Sequence, residues 1–143
     1  MIRKLLVGGV FSLVLAFGAT AVRADDDTAQ ALYDQALAAY GQRGDLAKND
    51  QALALLQQAE AQVQEDDDLK YDIYVLETRA YYWKGVNVPG SEEDNDAKIP
   101  VFQAGMDKAD LAIGVTKEYA DAFYWKGVAL GRWGLAKGIA ASF

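Results

Sequence analysis

Neither cysteine nor histidine occurs among the 143 residues of the chain, and each absence excludes a class of site. Without cysteine, the protein forms no disulfide, presents no thiolate nucleophile and binds no metal through sulfur. Without histidine, it lacks the usual general base and the commonest metal ligand of proteins. The sequence also contains no P-loop and no G-x-S-x-G motif. We therefore expect a protein that is not an enzyme and that uses no metal or cofactor.

Proline is scarce, and no segment alternates apolar and polar residues over the length of a half-buried strand. Apolar residues instead recur at steps of three and four, which predicts amphipathic helices. Pro89 is predicted to end one helix, and Pro100 fits the first turn of the next, where its missing N–H costs no hydrogen bond. The predicted fold class is all-α, in consecutive antiparallel hairpins.

Five stretches carry the helical period. The first is predicted to follow the acidic run 25–27, the second to begin at Asn49 or Asp50, and the third to begin in the acidic run 65–68. Gly134 is predicted to turn the chain into a short sixth helix. The predicted core positions are Tyr33, Leu37 and Tyr40; Ala52, Leu56, Ala59 and Val63; Leu69, Ile73, Leu76, Ala80 and Trp83; Phe102, Met106, Ala109 and Ile113; and Phe123, Gly127 and Leu130.

The N-terminal residues are typical of a secretory signal peptide. A short basic start, MIRK, precedes an uncharged apolar run, Leu5–Val22, and the sequence VRA then offers small residues for cleavage after Ala24. This predicts a signal peptide over residues 1–24, a folded domain over residues 25–143, and a periplasmic or secreted protein. The alternative is an uncleaved membrane anchor, because the apolar run lies at the edge of spanning length.

The chain carries fewer positive than negative charges. The chain has 14 lysines and arginines against 21 acidic residues, a formal net charge of −7. Cleavage would remove three basic residues and no acid, which changes −7 to −10. Such a surface repels phosphate backbones and anionic lipid headgroups, so we expect neither nucleic acid nor, after cleavage, a membrane as partner.

One pentapeptide occurs almost unchanged at two places. YYWKG at 81–85 returns as FYWKG at 123–127. A fixed period within paired helices is typical of solenoid proteins. We interpret the glycine of each copy as the point where two helices approach closely, with the aromatic residues filling the seam. Lys84 and Lys126 are interpreted as laying their stems along the rings while their charges stay in water.

The helix pairs resemble the tetratricopeptide repeat, which places a large residue early in its first helix, a small residue four later, and a glycine near the hairpin turn. Tyr33, Tyr81 and Phe123 fill the large-residue position in three units. The resemblance implies a right-handed α-α superhelix with units at about 28–64 and 68–118 and an incomplete unit at 119–143.

The chain also departs from that repeat. The usual repeat has about 34 residues. The interval from Tyr81 to Phe123 is longer, and the segment PGSEEDND is the obvious insertion. Trp83 and Trp125 stand where the motif is usually polar, and Lys84 and Lys126 where it is usually apolar.

In the resembled family, one face of the first helices lines a concave groove. The resemblance therefore implies an exported scaffold or adaptor that binds a protein or peptide segment in this groove. The residues that it places there are Arg79, Tyr82, Val86, Asp121, Tyr124, Val128 and Arg132.

Two other interpretations stay open. The stretch from Tyr124 to Ile139 resembles the closing helices of periplasmic T-component proteins associated with TRAP-type transporters, which implies binding of a small apolar ligand. The other interpretation is that the chain is a piece of a longer repeat protein, whose function needs residues that this sequence lacks.

The C-terminal end is a further candidate for a partner surface. Leu135, Ile139 and Phe143 are predicted to lie at an incompletely covered edge. Exposed apolar surface of this kind tends to acquire a partner, which predicts self-association or docking through this end. The alternative is that the short sixth helix folds back and covers the seam itself.

Overall fold

The computed structural model describes residues 17–88 and 95–138, with side chains from residue 25 onward. Within these ranges the chain folds into five helices and contains no strand, which confirms the all-α prediction. None of the helices in these ranges is long and apolar enough to cross a membrane. The helices are α1 Phe17–Tyr40, α2 Leu46–Gln62, α3 Asp67–Val86, α4 Ile99–Val115 and α5 Asp121–Ala136.

The helices pack in two layers. Each helix contacts the next one along the chain, and in addition α1 contacts α3 and α3 contacts α5. The odd-numbered helices therefore form one layer and the even-numbered helices the other. We call the surface formed by α1, α3 and α5 the odd-helix face, because it presents side chains from three helices that are adjacent in space.

The main core lies between α1, α2 and α3, and a smaller cluster of buried residues joins α3, α4 and α5. A helix whose apolar residues recur at steps of three and four has one apolar stripe, and burial of that stripe drives the packing. The predicted positions that are buried are Tyr40 in α1, Ala52, Leu56, Ala59 and Val63 in α2, Leu69, Ile73, Leu76 and Ala80 in α3, and Phe102, Met106 and Ala109 in α4.

Four predicted core positions are exposed: Leu37, Phe123, Gly127 and Leu130. Leu37 is 45% exposed, because α1 buries its small residues Ala36 and Ala39 against α2 instead. Phe123 and Leu130 are 48% and 51% exposed. Helix α5 has neighbours on one side only, α3 and α4, so the face that carries these two residues meets no other helix among the described residues.

Several helix starts also differ from prediction. Asp45, not Asn49 or Asp50, caps α2, and its side chain accepts a hydrogen bond of 2.9 Å from the Ala47 N–H. Asn49 is buried, and its Nδ2 donates to the Ala80 carbonyl oxygen of α3 at 3.0 Å. Helix α1 begins before the acidic run 25–27, which is therefore not its start. The start of α3 in an acidic run and the position of Pro100 in the first turn of α4 are confirmed.

The chain does not turn at Gly134, which lies inside α5. The helix ends near Gly138, whose φ of 72° is the left-handed conformation that glycine adopts readily at helix ends. The first residues of the predicted sixth helix belong to α5, and residues 139–143 lie outside the described ranges. Association through the C-terminal end stays a prediction, since Ile139 and Phe143 fall in that segment, while Leu135 is 53% exposed.

Helix α5 is positioned by a tyrosine of α3. Its N-cap residue Ala120 offers no side-chain acceptor, so the first N–H groups of the helix need partners from elsewhere. The Tyr71 hydroxyl accepts from the Ala122 N–H at 3.2 Å. The Tyr71 ring also meets Tyr119 edge-on, with centroids 5.1 Å apart. Burial raises the pKa of Tyr71, so the hydroxyl stays neutral at physiological pH.

The two pentapeptides make the same contact with the preceding helix. Lys84 donates to Asp50 of α2 at 2.9 Å, and Lys126 donates to Asp110 of α4 at 2.6 Å. Each repeated lysine thus ties an odd-numbered helix to the even-numbered helix before it. These pairs are solvent-exposed and contribute at most about 1 kcal/mol each, so they specify pairing more than they add stability.

The two pentapeptides differ in their contact with the following helix. A Cβ on Gly85 would lie 2.5 Å from a ring carbon of Phe102 in α4, so only glycine allows these helices to approach so closely. A Cβ on Gly127 would meet nothing within 4 Å. The predicted close approach is therefore confirmed for the first copy and wrong for the second, because no described helix follows α5.

A charged group is buried between the two layers. Glu77 of α3 is fully buried, and the Lys108 ammonium of α4 lies 3.0 Å from its Oε2 as an ion pair without good hydrogen-bond geometry. Lys108 also pairs closely with Glu60 of α2. Burial raises the pKa of Glu77 to about 7, and the attraction of Lys108 only partly opposes this effect. Burial lowers the pKa of Lys108, but the two carboxylates together outweigh burial and raise this pKa, so Lys108 stays charged.

The paired glycines allow a direct test of the seam. Gly85→Ala is expected to lower the free energy of unfolding by about 1–2 kcal/mol, since the added methyl overlaps a buried ring. Gly127→Ala is expected to raise it by up to about 1 kcal/mol, because alanine favours a helix and the space is open. Urea unfolding of the two variants measures both changes. Shifts of the same sign would contradict this account of the two copies.

Glu77 predicts a pH dependence of stability. Its pKa is raised from 4.5 to about 7 on folding, so the folded state retains a proton that the unfolded state releases. The contribution of Glu77 to the free energy of unfolding is therefore largest below pH 4.5. It falls by up to about 3 kcal/mol as the pH rises through about 7. Glu77→Gln is expected to remove this slope in urea unfolding between pH 4.5 and 8. Glu118→Gln, at an exposed position, serves as the control and should keep it.

Candidate functional site

The centre of the odd-helix face is an arginine stacked between aromatic rings of two other helices. The Cζ atom of Arg79 in α3 lies 5.1 Å from the ring centroid of Tyr40 in α1 and 5.4 Å from that of Trp125 in α5. A guanidinium over an aromatic face is attracted by the negative potential of the ring, by about 0.5–1 kcal/mol at exposed sites and more when desolvated. Arg79 thus joins all three helices of the layer.

A second arginine lies on the same tyrosine. Arg43, in the turn after α1, places its Cζ 4.7 Å from the Tyr40 centroid and 5.0 Å from the Trp83 ring. The Cζ atoms of Arg43 and Arg79 therefore lie 4.7 and 5.1 Å from the same ring centroid, so both guanidiniums stack on the Tyr40 ring. We call these five residues, Tyr40, Arg43, Arg79, Trp83 and Trp125, the arginine–aromatic cluster.

Two further tyrosines border the cluster. Tyr82 lies 5.7 Å from Trp125 and 6.4 Å from Phe102 between ring centroids, so it fills the space between α3, α4 and α5. Tyr124 meets Trp125 edge-on at 5.3 Å and is 63% exposed. Tyr82 therefore packs mainly within the protein, while Tyr124 is open to a partner.

The two arginines have no carboxylate partner among the described residues. Every ion pair in residues 17–88 and 95–138 uses a lysine, and none uses Arg43 or Arg79. The Nε atoms of both are buried and have no hydrogen-bond acceptor there. Desolvated donors without acceptors are costly, so the cluster holds positive charge that is only partly compensated by the rings.

The N-terminal ends of α3 and α5 carry the opposite charge. Asp68, Asp72, Asp121 and the rings of Tyr71 and Tyr119 line a cavity of about 260 Å³. Burial raises the pKa of Asp72, and the negative charges of Asp68 and neighbouring aspartates raise it further. The odd-helix face is therefore polarised, with acids at the start of the helices and arginines further along.

The far end of the face has a smaller cavity. Val86 and Arg132 meet in a space of about 150 Å³, between the end of α3, the start of α4 and the end of α5. The remaining lining residues are Gly85, Asn95, Lys98, Phe102, Leu135 and Ala136.

The residues that the resemblance places in a groove fall into three groups. Arg79 and Tyr82 both contact Trp125. Val86 and Arg132 share the far cavity, and Asp121 lies with the acids at the opposite end. Tyr124 is exposed beside Trp125, and Val128 is half-buried on α5.

Sequence reasoning missed four residues of the cluster: Tyr40, Arg43, Trp83 and Trp125. The two tryptophans could have indicated the cluster from sequence, because they occupy a position that is usually polar in the resembled repeat. Arg43 carried no such signal, since its place over Tyr40 depends on how the α1–α2 turn closes.

No protein-family model, no curated protein and no solved structure matches the chain.

Proposed function

We propose that the protein is an exported scaffold that binds a segment of a partner protein across the odd-helix face. The observation that carries the proposal is the arginine–aromatic cluster, in which Arg79 of α3 stacks between the buried ring of Tyr40 in α1 and the half-buried ring of Trp125 in α5. These three residue types dominate binding hot spots, since each offers a large contact area together with a polar group. The proposal includes no catalysis and no cofactor.

The packing supports a tetratricopeptide-like arrangement. In a solenoid each unit contacts only its neighbours, and here each helix contacts the next one along the chain and, within the odd layer, the next but one. The two lysine–aspartate pairs repeat the same link between successive helices. We therefore propose a right-handed superhelix of about two and a half units, with the odd-helix face as its concave surface.

The alternative, a small apolar ligand delivered to a TRAP-type transporter, gains no specific support. The cavities on the odd-helix face hold about 150 and 260 Å³. Sites for drug-sized molecules typically hold about 300–1,000 Å³ and are mostly apolar. The larger of the two cavities is lined by three aspartates, which suits an apolar ligand poorly.

Crosslinking at Tyr124 tests the proposed surface. A photoreactive phenylalanine derivative at this exposed position is expected to capture the partner in cells, and one at Gln58, exposed on α2, is expected not to. Tyr124→Ala should then weaken binding of the captured partner by about 2 kcal/mol without loss of helicity by circular dichroism. Equal capture from both positions, or unchanged affinity in a folded Tyr124→Ala variant, would show that the surface is wrongly assigned.

Export has its own test. The mature protein is expected to begin at Asp25, so N-terminal sequencing of the exported protein should start with three aspartates. Replacement of Ala24 by leucine, which removes the small residue next to the cleavage site, should block processing. A mature protein that begins at Met1 would refute cleavage. Since α1 runs from Phe17 through this site, cleavage would also remove the part of α1 that precedes Asp25.

A further inference from the structure

The stacked arginines keep hydrogen-bond donors available to a ligand. Stacking occupies the faces of a guanidinium, whereas its five N–H donors lie in its plane and point past the ring edges. Among the described residues, Arg43 spends one donor on the Tyr40 carbonyl oxygen at 3.4 Å, and Arg79 makes no hydrogen bond. Both arginines of the cluster therefore keep N–H donors that have no acceptor among the described residues.

No neighbouring acid serves as the missing partner. Asp72 lies two helical turns before Arg79 on the same side of α3, but its pKa is raised rather than lowered, and Arg79 is not among the causes. An aspartate paired with an arginine would show the opposite shift. The lysines of the described ranges, by contrast, form several ion pairs. The ion pairs within the described ranges thus use lysines and leave both arginines without a carboxylate partner.

A carboxylate is the group that fits these donors. Its two oxygens accept the parallel N–H groups of a guanidinium, which makes the bond specific in geometry as well as charge. Both guanidiniums stack on the Tyr40 ring, so a carboxylate at the edge of that ring would attract both positive charges.

The acidic cavity at the start of α3 and α5 favours a second feature in the bound segment, a positively charged side chain. Two helical turns separate Asp72 from Arg79, a rise of about 10 Å at about 1.5 Å per residue. An extended peptide covers about 3.3 Å per residue, so about three residues span this distance. Asp68, Asp72 and Asp121 surround the cavity there, and Tyr71 and Tyr119 supply aromatic walls that favour a cation.

We propose that Arg43 and Arg79 bind a carboxylate of an extended peptide segment, while the acidic cavity at Asp72 and Asp121 binds a basic side chain about three residues away along that segment. This inference rests on the proposed function and names the chemistry of the partner: a segment with one acid and one base at that spacing.

Blocked synthetic hexapeptides test the inference on the full exported protein. The first carries a lysine and a glutamate three positions apart in an alanine–glycine background, the second has glutamine in place of glutamate, and the third has both charges replaced. Tryptophan fluorescence reports binding, because Trp83 and Trp125 lie against the two guanidiniums. The first peptide is expected to bind at least about tenfold more tightly than the second, and its affinity should fall as salt is added.

Matched variants assign the effect to the arginines. Arg79→Gln and Arg43→Gln are each expected to weaken binding of the first peptide at least about tenfold. Lys84→Gln makes the same charge change on α3, at a lysine that pairs with Asp50 of α2, and should leave the affinity unchanged. Circular dichroism and urea unfolding confirm that each variant is folded.

The outcomes separate this inference from the proposed function. Equal affinity for the first two peptides, an equal loss in Lys84→Gln, or no binding of any peptide would overturn the inference. Tight binding of the uncharged peptide that Tyr124→Ala weakens would also overturn it, while leaving the proposed binding surface in place. Failure of the crosslinking at Tyr124 would instead remove the surface itself.

Discussion

Helix α3 is the constraint on which the rest of the structure depends, because it contacts all four other described helices. Its apolar stripe, Leu69, Ile73, Leu76 and Ala80, is buried in the main core. A different side of the same helix carries Arg79 and Tyr82 onto the odd-helix face. One helix thus has to satisfy the packing of both layers and to present the candidate site, which leaves few of its residues free to vary.

The polar groups inside the protein show how tightly that helix is held. Asn49 of α2 donates to the Ala80 carbonyl oxygen of α3, and Lys108 of α4 joins Glu77 of α3 to Glu60 of α2. Buried ionic groups of this kind add little net stability, but breaking one leaves an uncompensated charge, so they favour one arrangement of the helices over others. Polar links between the layers therefore join α2, α3 and α4, in addition to the two hydrophobic clusters that meet at α3.

Periodicity predicted the helices and most of the core of α2, α3 and α4, because each of these helices has neighbours that cover its apolar stripe. It failed for α5, where Phe123 and Leu130 follow the same period and are half exposed. A helical pattern reveals which face is apolar, but coverage depends on whether another helix packs there. The two pentapeptides show this dependence, since Gly85 lies against the Phe102 ring, whereas the described residues leave the space around the equivalent Gly127 empty.

The candidate site was predictable only in part, for a related reason. Helical spacing placed Arg79 and Tyr82 on one side of α3, and the aspartates at the helix starts were visible as charge runs. The stacking of Arg43 on Tyr40 and Trp83 involves a turn and two helices, and nothing in local sequence specifies it. Asn49 also could not be placed from local sequence. Asparagine is favoured at helix caps, yet Asn49 lies inside α2 and donates a buried hydrogen bond to α3.

The sparse burial of α5 has a dynamic consequence. Only Ala122 and Ala129 of this helix are buried, so α5 is the described helix that can detach at the lowest cost in free energy, ahead of global unfolding. Its detachment removes Trp125 from Arg79 and disassembles the arginine–aromatic cluster. A ligand that bridges α3 and α5 binds only the attached form, and it therefore slows amide hydrogen exchange in α5 by the factor 1 + [L]/Kd. Helix α5 thereby becomes the element whose stability reports whether the odd-helix face is occupied.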